Sequence, residues 1–210
     1  MFRLFDGDPI QYHALEYRSD RRFQRTEHEF DENGAPTEHF HSARQKIVED
    51  RWNAIQQYIS QDDSCLDIGA GGGTFAKQLD EHVKNIDCTE VNPRLAAECK
   101  RLGFNTSEGD FLEMTFSKKY DIVFAWHVLE HIPDAAQFIE KASRLARKLF
   151  ILEIPINRAI PEKFDGHYHH FTNVSLRLML REPNIISVMH GVQAPALLAI
   201  VRPSGRNKQL

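Results

Sequence analysis

Short apolar runs alternate along the chain with stretches in which apolar residues recur every three or four positions. The short runs are bounded by glycine, proline or polar clusters, and they predict strands at residues 65–68, 85–89, 104–107, 120–125 and 149–154. The helix-spaced stretches cover residues 42–59, 74–81, 95–102, 135–147 and 172–180. Strands that alternate with helices through right-handed crossovers build a doubly wound parallel sheet.

Two further apolar runs, at 185–189 and 196–201, have no helix-length segment between them and predict an antiparallel pair at the sheet edge. The predicted fold class is therefore α/β. We expect a Rossmann-like, doubly wound, seven-stranded sheet with an antiparallel last strand, arranged as a three-layer sandwich.

At this length we expect one domain, over residues 42–202. An N-terminal arm or lid at residues 1–41 precedes it, and a flexible tail at residues 203–210 follows. Within the arm, the dipeptide Asn33-Gly34 predicts a hairpin turn.

The stretch at residues 64–75, Ser-Cys-Leu-Asp-Ile-Gly-Ala-Gly-Gly-Gly-Thr-Phe, leads from the first strand into a helix through a cluster of glycines. Gly69, Gly71 and Gly73 allow positive φ and let a ligand approach the backbone more closely than any Cβ would permit. Asp67, near the end of the strand, places a carboxylate beside the same turn. A dinucleotide-binding fingerprint requires G-x-G-x-x-G, and no register of these glycines supplies it.

Acidic residues follow the next two strands. Glu90 lies about 20 residues beyond the glycines, the interval expected of a carboxylate that accepts hydrogen bonds from a ribose diol. Asp110 and Phe111 offer an acceptor for an adenine amino group and an apolar wall. Because parallel strands bring their carboxyl ends to one edge of a sheet, these residues and the glycine turn predict a site for an adenosine-containing ligand.

The segment Asp121–Asp134, Asp-Ile-Val-Phe-Ala-Trp-His-Val-Leu-Glu-His-Ile-Pro-Asp, closely resembles the fourth-strand region of class I S-adenosylmethionine-dependent methyltransferases of the small-molecule type. The arrangement Asp67-x-Gly69-x-Gly71-x-Gly73 resembles the first motif of that family, and the resemblance covers residues 45–155. It implies S-adenosylmethionine as the cofactor. The cofactor contacts that it implies are Asp67, Gly69, Gly71, Gly73, Glu90, Asp110, Phe111 and Trp126.

Methyl transfer from a sulfonium is an in-line displacement, and the protein's main contribution is to place donor and acceptor. By the resemblance, Trp126 and His127 line the space where the two meet. A hydroxyl acceptor also needs a base, a task suited to histidine near neutral pH. The candidate catalytic residues are His131 and His127, with His131 first because Glu130 could orient it. We predict a small or medium-sized acceptor, with oxygen favoured over nitrogen, since the N-P-P-Y-type loop of many amino-methylating enzymes is absent after the fourth strand.

Other interpretations of the histidines stay open. His127 to His131 fits the H-x-x-E-H pattern of inverted zinc peptidases, but that motif belongs within a long helix rather than at a strand end. Methyltransferases of RNA ribose and of coenzyme Q precursors resemble this segment and bind a divalent cation through acid-x-x-Glu-His and a later element. Glu130, His131 and a histidine among His167, His169 and His170 would supply that site here, with His127 in place of the acid. Because the missing acid weakens such a site, we expect histidines that pack near the pocket mouth and no metal.

Three alternatives to the small-molecule enzyme follow. The first is a metal-assisted RNA ribose methyltransferase. The second is a non-catalytic S-adenosylmethionine-binding subunit. A nicotinamide dehydrogenase ranks third, because the dinucleotide fingerprint is incomplete.

Composition narrows the partners. A formal net charge of -4 gives no general attraction to nucleic acid. The three cysteines lack metal-binding spacing and are expected to be reduced core residues. No apolar stretch reaches membrane-spanning length, and the N-terminus lacks the apolar core of a signal peptide. We therefore predict a cytoplasmic protein with a small-molecule acceptor, no membrane or nucleic-acid partner, and an oligomeric state that the sequence leaves open.

Overall fold

A computed structural model describes residues 30–32, 36–156, 167–181, 184–191 and 196–203. The strands of its sheet are β1 (Ser64–Ile68), β2 (Asn85–Glu90), β3 (Asn105–Glu108), β4 (Tyr120–Trp126), β5 (Ala146–Pro155), β6 (Ile185–His190) and β7 (Ala196–Val201). Their order is β3-β2-β1-β4-β5-β7-β6, and β7 runs antiparallel to both neighbours. The predicted fold class is confirmed, including the antiparallel last strand.

The strand order reverses between β1 and β4. From β1 the chain moves outward to β2 and β3, and it then returns to pair β4 in parallel with β1. At such a switch point the connections after the two strands diverge, which leaves a crevice at the carboxyl edge of the sheet. The glycine turn and the segment after β4 therefore flank one crevice.

Capping residues set several helix ends. Asp134 accepts a hydrogen bond from the backbone N–H of Gln137, and Thr172 forms a capping box with Ser175. Gly103 has a φ of +97°, as expected for the residue that closes a helix. The described helices are α1 (Glu38–Ser42), α2 (Gln45–Ile55), α3 (Thr74–Asp80), α4 (Pro93–Arg101), α5 (Ala135–Leu145) and α6 (Asn173–Leu180), with 3-10 turns at Gln56–Tyr58 and Leu129–His131.

Each face of the sheet carries an apolar cluster. Ile55 of α2 and Leu79 of α3 are fully buried in the cluster on one face, together with Phe124 of β4. Phe138 of α5 and Leu176 of α6 are fully buried in the cluster on the other face. Because β4 contributes side chains to both layers, its sequence is apolar nearly throughout.

Most predicted elements agree with the structure to within two residues at each end, and two of them differ by more. The helix predicted over residues 42–59 begins at Gln45 and ends in a 3-10 turn, and a separate α1 precedes it because Phe40 turns inward at that point. β5 begins at Ala146 and not at residue 149, since the pairing of Ala146 with Tyr120 extends the parallel ladder. That pairing takes residues that the predicted helix 135–147 would have used.

Part of the predicted arm lies within the described residues. Phe30 and Pro36 form an antiparallel bridge on either side of Asn33-Gly34, as a hairpin requires, while the turn at 33–35 lies outside the described residues. Residues 1–29 and the tail beyond Pro203 also lie outside them, so the domain boundaries stay a prediction. None of the described helices has the length and apolar character needed to cross a membrane.

Candidate active site

The turn between β1 and α3 has the conformation that its glycines allow. Gly69, Gly71 and Gly73 have φ values of +66°, +58° and +79°. A Cβ at Gly69 would lie 2.6 Å from Cγ2 of Val128, so the turn also packs directly against the segment after β4. Position 69 therefore requires glycine both for its backbone conformation and for this close approach.

The carboxylate of Glu90, at the end of β2, is bonded to this turn. One oxygen accepts from the backbone N–H of Gly71 at 2.7 Å, and the other accepts from that of Asn92 at 2.8 Å. Glu90 is 7% exposed, and burial raises the pKa of its carboxyl although the backbone donors oppose the shift. The backbone N–H of Val91 also donates to this carboxylate. Because a carboxylate has about four acceptor sites, Glu90 can hold the turn and still accept from a ligand hydroxyl.

Asp67 is almost completely removed from solvent. It is 1% exposed, and its Oδ1 has no hydrogen-bond partner among the residues that the structure describes. Burial raises the pKa of Asp67 to about 7; the positive charge of Arg51 opposes the shift, and the negative charge of Glu90 adds to it. A buried acceptor of this kind costs free energy in the ligand-free fold, and a ligand that donated a hydrogen bond to it would recover part of that cost.

Arg51, on α2, was not among the predicted site residues. Its Nη2 lies 3.1 Å from Oε1 of Glu153, and its guanidinium carbon lies 4.7 Å from the ring centroid of Trp126. Its Nε donor is buried and finds no acceptor in the described ranges. Arg51 and Asp67 thus present an unused donor and an unused acceptor of opposite charge, the pair that a zwitterionic amino acid would satisfy.

The loop after β3 carries the two predicted adenine contacts. Asp110 is partly exposed and accepts from the backbone N–H of Leu112 at 2.8 Å. Phe111 is 5% exposed, and its ring packs edge-on against Phe138 with centroids 5.1 Å apart. Lys141 donates to the carbonyl of Leu112 at 2.7 Å and thereby ties the loop to α5. The Phe111 ring belongs to the core, and the cofactor contacts of Asp110 and Phe111 stay predictions.

Trp126 ends β4 on the face that carries α2 and α3. It is 7% exposed, and its ring centroid lies 4.8 Å from that of Phe75 and 5.9 Å from that of Phe124. Its indole N–H is buried with no acceptor in the described part of the chain. The ring packs below Arg51 as part of the apolar layer, and its predicted place beside the cofactor stays a prediction.

His127 has a backbone φ of +56°, which is uncommon outside glycine. Its Nε2 lies 2.9 Å from Oε1 of Glu153, and its Nδ1 lies 3.3 Å from Oε1 of Glu130. Burial by itself would lower the pKa of His127, but hydrogen bonds and charges of the two carboxylates outweigh it and raise the pKa to about 9. At neutral pH the ring is therefore an imidazolium, and it has no lone pair with which to accept a proton. This arrangement disfavours His127 as the base.

Glu130 also lies beside two further histidines, His131 and His167. Nε2 of His131 is 3.9 Å from Oε1 of Glu130, and the His131 ring stands edge-on to that of His167 with centroids 4.5 Å apart. The three residues each place one ligand atom within 4.8 Å of the others. Glu130 is 1% exposed, and its Oε2 has no hydrogen-bond partner in the ranges described. The cluster brings one carboxylate and two imidazoles together, and these ligand atoms are of a kind suited to a cation.

The loop at residues 167–170, which carries three histidines, is hydrogen-bonded to the segment after β4. Tyr168 donates its backbone N–H to the carbonyl of Glu130 at 2.8 Å, and Nε2 of His169 lies 2.9 Å from the carbonyl of Ile132. The structure therefore brings His167 to Glu130, whereas His169 fixes the loop and His170 is exposed.

Glu153 is a functional candidate that the sequence analysis missed. It is fully buried on β5, yet its carboxylate contacts both Arg51 and His127. The sequence carried one signal for it, a lone acid within the apolar run at 149–154, because a buried carboxylate requires charged or hydrogen-bonding partners.

Comparisons with known proteins identify several relatives of this chain. Residues 39–184 match a family model described as a methyltransferase domain. The ribosomal protein L11 methyltransferase of Staphylococcus carnosus is 29% identical over 152 residues, which are 66% of this chain and 43% of that protein. The ubiquinone biosynthesis O-methyltransferase of Coxiella burnetii is 30% identical over 112 residues, which are 49% of this chain and 48% of that protein. The chain thus spans less than half the length of these curated relatives.

Solved structures share the fold at low sequence identity. Magnesium protoporphyrin IX methyltransferase from Synechocystis, with bound SAM, is 17% identical, with a TM-score of 0.66 over 96% of this chain and 100% of its own. The DhpI–SAM–HEP complex is 18% identical, with a TM-score of 0.67 over 95% of this chain and 100% of its own. These likenesses establish the architecture around the crevice.

Proposed function

Because the chain belongs to the class I S-adenosylmethionine-dependent methyltransferases, we propose that it transfers the methyl group to a hydroxyl oxygen of a small or medium-sized acceptor. The observation that carries this proposal is the pairing of a partly exposed His131 with the buried carboxylate of Glu130 just after β4. An oxygen acceptor must lose its proton, and a histidine oriented by a carboxylate is suited to take it.

The polar groups around the crevice match the parts of the cofactor. Glu90 would accept from the ribose hydroxyls, and Asp110 would accept from the adenine amino group. Asp67 would accept from the ammonium of the amino-acid end, while Arg51 would donate to its carboxylate. The buried Asp67 Oδ1 and Arg51 Nε support the last two assignments, since neither has a partner among the described residues.

In the proposed reaction, the acceptor oxygen forms a bond to the methyl carbon while the sulfur–carbon bond breaks. The hydroxyl proton passes to His131, and the sulfonium becomes the neutral thioether of S-adenosylhomocysteine. The negative charge of Glu130 stabilises the imidazolium that results. His127 is already protonated between two carboxylates, so its proposed task is to hold Glu130 and Glu153 in place.

The relatives bear on the acceptor to different degrees. The name of the Coxiella burnetii relative specifies an O-methyltransferase, and that of the Staphylococcus carnosus relative specifies ribosomal protein L11. The first favours oxygen, in agreement with the histidine–carboxylate pair. We carry the oxygen preference, and not the acceptor of either relative, to this chain.

The test supplies radiolabelled S-adenosylmethionine with small phenols and alcohols on one side and amines on the other. We expect label in O-methyl products. His131→Asn should lower kcat by about 100-fold or more while leaving the affinity for S-adenosylhomocysteine unchanged. His170→Ala is the matched control, because His170 lies in the neighbouring loop and is exposed. Label confined to amines, or full activity of His131→Asn, would contradict the proposal.

The cluster of Glu130, His131 and His167 favours one further candidate, a metal-assisted methyltransferase of RNA ribose. One carboxylate and two imidazoles within 4.8 Å form a donor set suited to Mn²⁺ or Zn²⁺. Titration of the whole chain with Mn²⁺ should then show binding that Glu130→Gln abolishes, together with retention on RNA that falls steeply with salt. Turnover of a small hydroxyl acceptor in excess chelator would reject this candidate. Cofactor binding without turnover of any acceptor would instead identify a non-catalytic subunit.

A further inference from the structure

Helix α1 lies against the glycine turn, although its residues belong to the segment predicted as an arm. Phe40 and His41 are 5% and 4% exposed, whereas Glu38 and His39 face solvent. A helix of only five residues has little stability of its own, so these two side chains must hold it in place.

His41 connects α1 to two other helices, one of which begins directly after the glycine turn. Its Nδ1 lies 2.9 Å from the hydroxyl of Thr74, the first residue of α3, and its Nε2 lies 2.9 Å from Oε1 of Glu98 on α4. Glu98 is 3% exposed and also accepts from Nε of Arg101 at 2.6 Å. Both ring nitrogens of His41 are therefore used, and no water is needed to complete the contacts.

Phe40 covers the backbone of the turn. A Cβ on Gly72 would lie 2.8 Å from Cε1 of the Phe40 ring, so the ring occupies the space that a side chain at position 72 would need. Arg44 lies over the same ring, with its guanidinium carbon 3.7 Å from the centroid, and donates to the Phe40 carbonyl at 2.8 Å. This accounts for the glycine at 72, whose φ is not positive as those of its neighbours are.

We propose that Phe40 and His41 form a clasp that holds the glycine turn in its ligand-binding conformation, so that cofactor binding and the docking of residues 36–44 stabilise each other. Glu90 holds the turn through its hydrogen bond with the backbone N–H of Gly71, and Phe40 of the clasp packs against the turn at Gly72. No side chain caps α3 at Gly73, so the contact of His41 with Thr74 anchors the first residue of that helix. Coupling of this kind is reciprocal between the two events. The clasp residues are positioning residues, because they act on the cofactor through the turn.

This inference rests on the proposed cofactor site, and the first experiment separates the two. Calorimetry with S-adenosylhomocysteine compares the full chain with His41→Ala and with His39→Ala, an exposed histidine on the same helix. We expect His41→Ala to weaken binding by about fivefold or more and His39→Ala to leave it unchanged. A wild-type chain that fails to bind would reject the cofactor site itself. A wild-type chain that binds, with His41→Ala equal to it, would overturn the clasp alone.

Two conservative variants distinguish positioning from a loss of general stability. The amide of His41→Asn lies near the position of Nδ1 and can keep the bond to Thr74, whereas that of His41→Gln lies near Nε2 and can keep the bond to Glu98. If the clasp acts through the turn, the Asn variant should retain more affinity than the Gln variant. Equal affinities for the two variants would contradict that route.

Hydrogen exchange tests the coupling without any substitution. The backbone N–H groups of Ala43 and Arg44 donate to the carbonyls of His39 and His41, so they report whether α1 is docked. S-adenosylhomocysteine should slow their exchange together with that of the glycine turn. Protection of the turn with unchanged exchange in α1 would overturn the proposal.

Discussion

Glu90 joins the glycine turn to the predicted ribose position, and Glu90→Ala tests that assignment. Hydrogen bonds to a charged acceptor contribute about 1.5–3 kcal/mol each. Loss of two such bonds from the ribose diol would cost at least about 3 kcal/mol, which is roughly 150-fold in Kd. Water that enters the vacated space can solvate the hydroxyls again, so we expect a loss of at least about tenfold.

The same substitution acts on the ligand-free fold in two opposing ways. It leaves the backbone N–H groups of Gly71 and Asn92 without their acceptor, at about 1 kcal/mol or more each. It also removes a buried carboxylate whose pKa is raised by burial, which is a gain. Because the two effects partly cancel, the variant should stay folded, and its loss of affinity can be measured by calorimetry with S-adenosylhomocysteine beside a thermal melt.

Glu108→Ala is the matched control. Glu108 lies directly opposite Glu90 in the pairing of β2 with β3, its side chain is 46% exposed, and its ion pair with Lys100 is long at 3.5 Å. The substitution Glu108→Ala removes the same charge as Glu90→Ala, at the same edge of the sheet, and it leaves the glycine turn unchanged. Equal losses from both variants would indicate a general effect of charge, and unchanged affinity in Glu90→Ala would remove Glu90 from the site.

Three further predictions follow from the same crevice. The pKa of Asp67 is about 7 against an ordinary value of 3.8, so ionisation of this carboxyl destabilises the fold by up to about 4 kcal/mol as the pH rises from 3.8 to 7. Asp67→Asn should therefore raise Tm at about pH 8 but hardly at about pH 4, and it should weaken cofactor binding. Equal shifts of Tm at both pH values would contradict this prediction. Gly69→Ala should lower the free energy of unfolding in urea by about 2–4 kcal/mol, and Val128→Ala should restore part of it by relieving the clash and not the positive φ. Lys141→Met keeps the aliphatic stem of the side chain but loses its hydrogen bonds to the loop after β3, so it should weaken S-adenosylhomocysteine binding by about threefold to tenfold. Unchanged affinity would show that the loop does not depend on Lys141.

The parts of the fold that depend on local order could be predicted from the sequence. Apolar runs, glycine turns and caps such as Thr172 act within a few residues, so strand positions and strand direction were recovered. The start of β5 could not be placed, because its first residue, Ala146, is set by pairing with Tyr120, which lies 26 residues earlier in the chain but adjacent in space. The division of the helix predicted over residues 42–59 likewise depends on where Phe40 packs, which no local pattern encodes.

The candidate site divides in the same way. The glycine turn and Glu90 lie at a fixed interval after one strand, and that interval is visible in the sequence. Arg51 and Glu153 are 102 residues apart in the chain, and they meet only because α2 packs on the sheet that contains β5. The raised pKa of His127 depends on Glu130 and on Glu153, which lies 26 residues further along the chain, so the sequence could nominate two histidines but could not tell which of them carries a charge.

The charged groups around His127 and His131 assign different tasks to these two histidines. Arg51, Glu153, His127 and Glu130 form a row of alternating charge, in which each buried carboxylate has a cationic neighbour. Removal of one partner from such a row leaves buried charge uncompensated. His127→Gln should therefore lower the free energy of unfolding by at least about 2 kcal/mol. This is less than the cost of breaking a fully buried ion pair, because the His127 side chain is 25% exposed and solvent screens its charge. His131 is 26% exposed and lies farther from Glu130, at 3.9 Å, so His131→Asn should leave stability nearly unchanged and act on turnover. Thermal melts and single-turnover rates on both variants separate the two tasks, and a stability loss in His131→Asn equal to that in His127→Gln would refute the division.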